Sequence, residues 1–163
     1  MKEITLDQEE INKALNFVST MRQDKTEYKV IDRKFDAKNT SWAVNLMGHL
    51  GEVAVAKAYQ VSVDDRILTG GDEGHDLVIN NKKIQVKTST LNKLIFNALE
   101  LFTADYAVLV TLIGDRQQPH INSKFRIWGA ISKEDFKQVC YQKDYGYGVR
   151  FVCNTEHLVP IGF

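Results

Sequence analysis

Three residues at close spacing, Asp76, Gln85 and Lys87, could together bind a metal ion and an anion. Carboxylate and amide oxygens are ligands that hard divalent cations accept, and an ammonium group stabilises negative charge on a bound anion. All three lie in the segment 69–89, TGGDEGHDLVINNKKIQVKTS. The same pattern also fits an ordinary half-exposed hairpin with a polar face, which is the commoner outcome.

The segment predicts a β-hairpin. Alternating runs at 75–79 and 83–88 flank Asn80 and Asn81, and asparagine tolerates the positive φ that a tight turn requires. With a loop of Asn80-Asn81, Asp76 lies opposite Gln85. With a loop one residue later, Asp76 lies opposite Lys87.

Either register predicts one polar and one apolar face, because strand side chains alternate with period two. The polar face carries Asp76, Gln85 and Lys87. The apolar face carries Leu77, Ile79, Ile84 and Val86.

Glycines and a further acid support a site at this hairpin. Gly70, Gly71 and Gly74 precede Asp76 and suit the close approach of a ligand or a backbone. Glu52 lies in a predicted helix among small residues, where a charge near a packed surface needs a partner. Glu52 could instead face solvent and pair with Lys57.

Composition bounds the class of protein. The 163 residues predict a single domain, 1–163, with 44% apolar and 26% charged residues. A net charge of zero argues against nonspecific coating of nucleic acid but leaves room for a local basic groove. The segment 82–93 has four lysines and no acid. Cys140 and Cys153 have no metal-type spacing and are expected to be free, partly buried thiols.

The element order predicts an α/β fold with a mixed sheet and packed helices. Thr5 or Asp7 starts one helix, and Asn39, Thr40 or Ser41 starts a second that reaches about Tyr59. The polar segment 22–39 is expected to be irregular and either contacts phosphates or is a solvated surface. The remaining expectations are strands near 66–69, 105–113, 125–131 and 149–152, a strand or turn at 94–102, and a short helix after Ser132.

Glu52, Asp76, Gln85 and Lys87, on a helix and a hairpin in that order, resemble the PD-(D/E)XK, restriction-endonuclease-like nuclease superfamily. The helix sequence GHLGEVAVA, residues 48–56, is similar to the archaeal Holliday-junction resolvase branch. The resemblance covers about residues 40–132, with four diagnostic positions. Two positions depart from the family pattern: His75 stands where proline is common, and Gln85 replaces an acid.

The resemblance implies a metal-dependent DNA endonuclease with a restriction-endonuclease-like mixed β-sheet flanked by helices. Mg²⁺, with Mn²⁺ as a substitute, would be held by Asp76, the Gln85 amide oxygen and the Val86 carbonyl, with Glu52 acting through water. Lys87 would orient the attacking water or stabilise phosphate charge. The expected DNA contacts are Lys82, Lys83, Thr88, Ser89 and Lys93.

The expected partner is double-stranded or branched DNA, and cutting both strands requires a dimer or higher assembly. Junction-resolving, homing and restriction roles stay open. The alternative is a nuclease fold that has lost catalysis and binds nucleic acid or a protein, which Gln85 favours. His49 is expected to be structural, and His75 to neighbour the scissile phosphate. With neither a spanning apolar run nor a signal peptide, the expected location is cytoplasmic and away from membranes.

Overall fold

The computed structural model describes residues 1–27, 41–63, 74–121 and 123–162, and for 22–27 and Ser41 the backbone alone. The predicted strand at 66–69, the capping positions 39 and 40, and Gly70 and Gly71 lie outside these residues. No helix in the described part of the chain is long and apolar enough to cross a membrane.

A mixed five-stranded sheet organises the molecule, in the order β1-β6-β5-β3-β2. Its strands are β1 Lys2–Thr5, β2 Leu77–Ile79, β3 Lys82–Ser89, β5 Tyr106–Ile113 and β6 Lys124–Ser132. β3 and β5 are parallel, and the other neighbours are antiparallel. The predicted apolar strand at 105–113 is confirmed as β5, which lies between β3 and β6. The side chains in the middle of β5 are buried because both faces of the sheet are covered.

Two helices, α1 Gln8–Glu27 and α2 Ser41–Tyr59, cover one face. Asp7 starts α1 as a capping box: its carboxylate accepts from the Glu10 N–H, and the Glu10 carboxylate accepts from the Asp7 N–H. The helix extends to Glu27, so the prediction that residues 22–27 are irregular was wrong. Charged residues there were taken as a loop signal, although lysine, arginine and glutamate are good helix formers.

A second layer covers the opposite face. It holds a three-stranded antiparallel sheet in the order β4-β8-β7, a helix and two single turns. The bounds are β4 Lys93–Phe96, η1 Leu99–Leu101, α3 Lys133–Val139, β7 Tyr141–Asp144, β8 Val149–Asn154 and η2 Thr155–His157. The expected strand and helical turn within 94–102 are confirmed as β4 and η1, and Ser132 caps α3 by accepting from the Asp135 N–H. The α/β class is therefore confirmed.

Each face of the main sheet has its own apolar core. The helix-side core buries side chains of α1, α2 and β3, among them Val18, Leu46, Leu50, Ala54, Ile84 and Val86. The second-layer core buries Leu94, Phe96, Phe102, Leu109, Phe136 and Cys153. Cys140 and Cys153 are free thiols, as predicted.

Candidate metal and phosphate site on strand β3

The predicted hairpin turn is confirmed at Asn80-Asn81. The two residues have φ of 48° and 62°, and Ile79 pairs with Lys82 on either side of them. Leu77, Ile79, Ile84 and Val86 are buried, as expected for the apolar face.

A bulge at the start of β2 changes the predicted position of Asp76. Leu77 pairs with Ile84, yet the Asp76 N–H also donates to the Ile84 carbonyl, at 2.8 Å. Two residues of one strand therefore face one residue of the other, which is the arrangement of a β-bulge. The expectation that Asp76 lies opposite Gln85 was wrong, because a regular ladder was assumed to continue through residue 76.

The bulge directs the Asp76 carboxylate at the backbone of β3. Its Oδ2 accepts the Val86 N–H at 2.6 Å, a short charge-assisted bond. The N–H and C=O of one strand residue point to the same side, so the Val86 carbonyl lies along this edge too. Asp76 and the Val86 carbonyl, two of the predicted ligands, are therefore neighbours at the β2-side edge of β3.

Gly74 fixes the approach to Asp76. Its φ is 82°, and Thr103 Oγ1 donates to its carbonyl. A Cβ at this position would lie 2.7 Å from Thr103 Oγ1. The predicted close approach at Gly74 is therefore to the Thr103 side chain, in the connection between η1 and β5.

Gln85 points from β3 towards the second layer. Its Nε2 donates to the Leu101 carbonyl at 3.1 Å, which fixes the orientation of the amide. The other amide atom, Oε1, is buried and has no hydrogen-bond partner among the residues that the structure describes. A buried unsatisfied acceptor is unfavourable, so this oxygen is a candidate ligand atom.

Lys87 shares the Gln85 face of β3. Its Nζ lies 4.9 Å from the centroid of the Phe96 ring. Phe96 is buried and stacks on Phe102 at 4.8 Å. A buried ring thus lies against the ammonium group and helps to orient it.

Glu52 lies in α2, on the helix-covered face of β3, whereas Gln85 and Lys87 point to the second layer. Its carboxylate is 3.1 Å from His49 Nδ1, and the His49 ring stacks on Phe17 at 4.2 Å. His49 is buried, in accord with the structural role expected of it. The alternative pairing of Glu52 with Lys57 was wrong, because Lys57 binds Glu10 at 2.7 Å.

Small residues bring α2 against β3, as predicted. A Cβ at Gly51 would overlap Thr88 Oγ1, and the Thr88 hydroxyl donates weakly to the Gly48 carbonyl at 3.4 Å. Thr88 therefore packs on the helix. Ser89 Oγ accepts from the Leu91 N–H at 2.9 Å. Both hydroxyls expected to contact DNA serve local structure here.

The lysines that were predicted to contact DNA lie at two separate places. Lys82 and Lys83 are exposed at the hairpin turn, and Lys93 begins β4. His75 precedes Asp76, and its Nδ1 is buried without a partner among the described residues.

The donor atoms suit a hard cation. Asp76, Gln85 and the Val86 carbonyl all offer oxygen, which Mg²⁺ prefers. In the described residues no three His, Cys, Asp or Glu side chains are grouped to hold a metal. The expected ligand set includes only two such residues, Asp76 and Glu52, so it depends on the amide and the backbone carbonyl.

Sequence reasoning missed Phe96, Leu101 and Thr103, which position Lys87, Gln85 and Gly74. Their only sequence signal was an ambiguous apolar run at 94–102.

Comparisons with known protein families, with curated proteins and with solved structures found no match to this chain.

Proposed function

We propose that this protein is a metal-dependent DNA endonuclease with a restriction-endonuclease-like fold of the PD-(D/E)XK type. The observation that carries the proposal is the pairing of the Asp76 carboxylate with the Val86 N–H. Gln85, the residue before Val86, has a buried amide oxygen without a partner among the described residues. Lys87 follows on the same strand. These residues supply oxygen ligands and one cation on strand β3 and the segment that precedes β2.

Asp76, Gln85 and the Val86 carbonyl would hold Mg²⁺ or Mn²⁺. When bound, the ion would lower the pKa of a water and stabilise the leaving oxygen of a phosphodiester. Asp76 contributes a carboxylate already fixed by its bond to β3. Gln85 contributes an amide whose orientation is set by Leu101.

Lys87 would orient the attacking water or stabilise charge on the phosphate. Its Nζ lies over the Phe96 ring, which helps to orient the ammonium group. Glu52 is bonded to His49 on the helix layer, so we assign it a supporting role through water. One chain carries one such site, and a dimer would cut both strands.

A second candidate function is a nuclease fold without catalysis that binds nucleic acid. The bond from Gln85 Nε2 to Leu101 favours it, because this amide then serves the packing of the second layer. Gln85 also contributes less negative charge to an ion than an acid would.

Cleavage and metal binding separate these candidates. Supercoiled plasmid and branched DNA are incubated with Mg²⁺, Mn²⁺ or EDTA, using wild type, Lys87→Ala and the control Lys13→Ala. Lys13 is exposed on α1 and pairs with Glu9 at 3.0 Å. We expect metal-dependent cleavage that falls on the order of 100-fold or more in Lys87→Ala and is unchanged in Lys13→Ala.

Calorimetry with Mg²⁺ and Mn²⁺ on wild type and Asp76→Asn completes the test. Metal binding that Asp76→Asn removes, without cleavage of either DNA, supports the second candidate. If neither metal binds and neither DNA is cut, the endonuclease proposal fails.

A further inference from the structure

The outer face of the three-stranded sheet has an unusual set of cations. Leu94 pairs with Cys153, and both are buried in the second-layer core. Since strand side chains alternate, Lys93, Tyr141 and Lys143 point to the opposite, outer face. We call Lys93, Tyr141, Lys143 and Tyr145 the lysine–tyrosine face.

Both lysines of this face are held by tyrosines. Lys93 Nζ donates to Tyr141 Oη at 2.7 Å and to Asn154 Oδ1 at 3.2 Å. Lys143 Nζ lies 4.9 Å from the centroid of the Tyr145 ring. A phenol or a ring orients an ammonium group but leaves its full charge in place.

Neither lysine forms a salt bridge with an acid in the part of the chain that the structure describes. The carboxylate of the turn that follows β8, Glu156, lies 3.6 Å from His157. Elsewhere lysines are neutralised: Lys124 binds Glu3 at 2.8 Å. The hydrogen bond to the tyrosine hydroxyl raises the pKa of Lys93 most, and Glu156 also raises it through space, as the smallest of the influences on it. Two lysines without an ion pair on one face create a local positive potential on a chain with no net charge.

The face points away from the β3 site. β4 begins at Lys93 and ends at Phe96, whose ring lies under Lys87. Phe96 is buried in the second-layer core, whereas Lys93, three residues earlier, points to the outer face. Substitutions on the face therefore leave the residues of the β3 site in place.

We propose that the lysine–tyrosine face binds the phosphate backbone of duplex DNA. The inference rests on the proposed function for its substrate. Lys93 and Lys143 contact phosphates, and their tyrosines hold them in position before binding. Phosphate contacts carry no sequence information, so this binding is independent of sequence.

Duplex binding without metal tests the proposal. The affinity of a short fluorescein-labelled duplex is measured by anisotropy in EDTA, between about 50 and 200 mM salt. We expect Lys93→Gln/Lys143→Gln to bind several-fold more weakly. Its slope of log affinity against log salt should be smaller by about 1.8, or about 0.9 for each lost phosphate contact.

Two double variants serve as controls. Lys13→Gln/Lys124→Gln makes the same charge change where Glu9 and Glu3 already neutralise the lysines, and should bind like wild type. Lys93→Arg/Lys143→Arg keeps the charge and should retain most of the affinity. The face is rejected if the glutamine variant binds like wild type, if wild type binds no duplex, or if polyglutamate competes as well as unlabelled duplex.

The outcomes also separate this inference from the nuclease proposal. If Lys93→Gln/Lys143→Gln loses duplex binding while wild type cuts no DNA with Mg²⁺ or Mn²⁺, the proposal for the lysine–tyrosine face is supported and the nuclease proposal is rejected. If wild type cuts DNA and Lys93→Gln/Lys143→Gln binds duplex like wild type, the nuclease proposal is supported and the proposal for the lysine–tyrosine face is rejected.

Discussion

The main sheet with its helices and the three-stranded sheet hold their cations differently. In the first group, Lys13 binds Glu9, Lys57 binds Glu10, and Lys124 and Arg126 bind Glu3. In the three-stranded sheet, Lys93 lies over the ring of Tyr141 and Lys143 over the ring of Tyr145. Lys2 is an exception in the first group, since its Nζ donates to the Ala58 carbonyl and lies over Tyr59.

This difference distinguishes lysines whose charge is neutralised within the fold from lysines whose charge can act on a ligand. A carboxylate partner cancels a lysine's field, whereas an aromatic ring orients the lysine and leaves its field to act on a ligand. We therefore expect substitutions of the carboxylate-paired lysines to change mainly stability. Substitutions of Lys93 and Lys143, and at the β3 edge, should change mainly metal binding, DNA binding and cleavage.

The largest expected effect is at Asp76. Asp76→Asn can keep a bond to the Val86 N–H but loses the charge, so cleavage should fall on the order of 100-fold or more with little change in stability. Asp76→Ala also leaves that buried N–H unsatisfied, and should in addition lose about 1–3 kcal/mol of unfolding free energy. Plasmid cleavage and urea unfolding of both variants measure the two effects. Equal losses of stability would mean that the carboxylate is structural.

The next effect is on the helix side, at Gly51. A methyl group there overlaps Thr88 Oγ1, so Gly51→Ala should destabilise by about 1–3 kcal/mol. Gly48 has no atom within 4 Å of an added Cβ, and Gly48→Ala should be neutral or stabilising by up to about 1 kcal/mol. Urea unfolding of both, and of Gly51→Ala/Thr88→Ala, provides the test. Failure of the second substitution to restore stability would exclude the Thr88 hydroxyl as the cause.

The hairpin could be predicted from sequence because its determinants are local. Asn80 and Asn81 supply the turn, and alternation assigns the two faces. The bulge at Asp76 could not be predicted, since it depends on a bond to Ile84 and on Thr103 holding Gly74. The alternation of polar and apolar residues predicts which face of a strand a side chain occupies. It does not predict which residue of the neighbouring strand lies opposite.

The missed elements have a common physical reason. β7 is exposed along its whole length and has no apolar alternation, so only its pairing with β8 defines it. The pairing of Gln85 with Leu101 likewise depends on how η1 packs on the sheet. The residues of the candidate site were predicted from type and spacing, whereas the groups that orient them come from contacts distant in sequence.

A smaller effect appears at high pH in the second-layer core. Burial raises the pKa of the Cys153 thiol to about 11, against about 8.5 in an unfolded chain. The unfolded state therefore releases its proton first, and stability falls as pH rises from about 8.5 towards about 11. At pH 10 the loss is about 2 kcal/mol.

Cys153→Ala removes this titration, so its stability deficit relative to wild type should narrow by about 2 kcal/mol between about pH 8 and pH 10. Urea unfolding at several pH values measures the narrowing. A constant deficit would mean that the thiol is accessible to water in the folded protein.

The smallest effect makes the sharpest comparison, between Lys57 and Lys93. Lys57 bonds Glu10 and the Thr5 carbonyl but is partly exposed, so Lys57→Met should lower stability by less than about 1 kcal/mol and leave duplex binding unchanged. Lys93→Met should leave stability unchanged and weaken duplex binding several-fold. Urea unfolding and anisotropy on the same samples measure both. If Lys57→Met weakened duplex binding as much as Lys93→Met, the Glu10 carboxylate would not be neutralising Lys57, and the division between carboxylate-paired and ring-held lysines would be wrong.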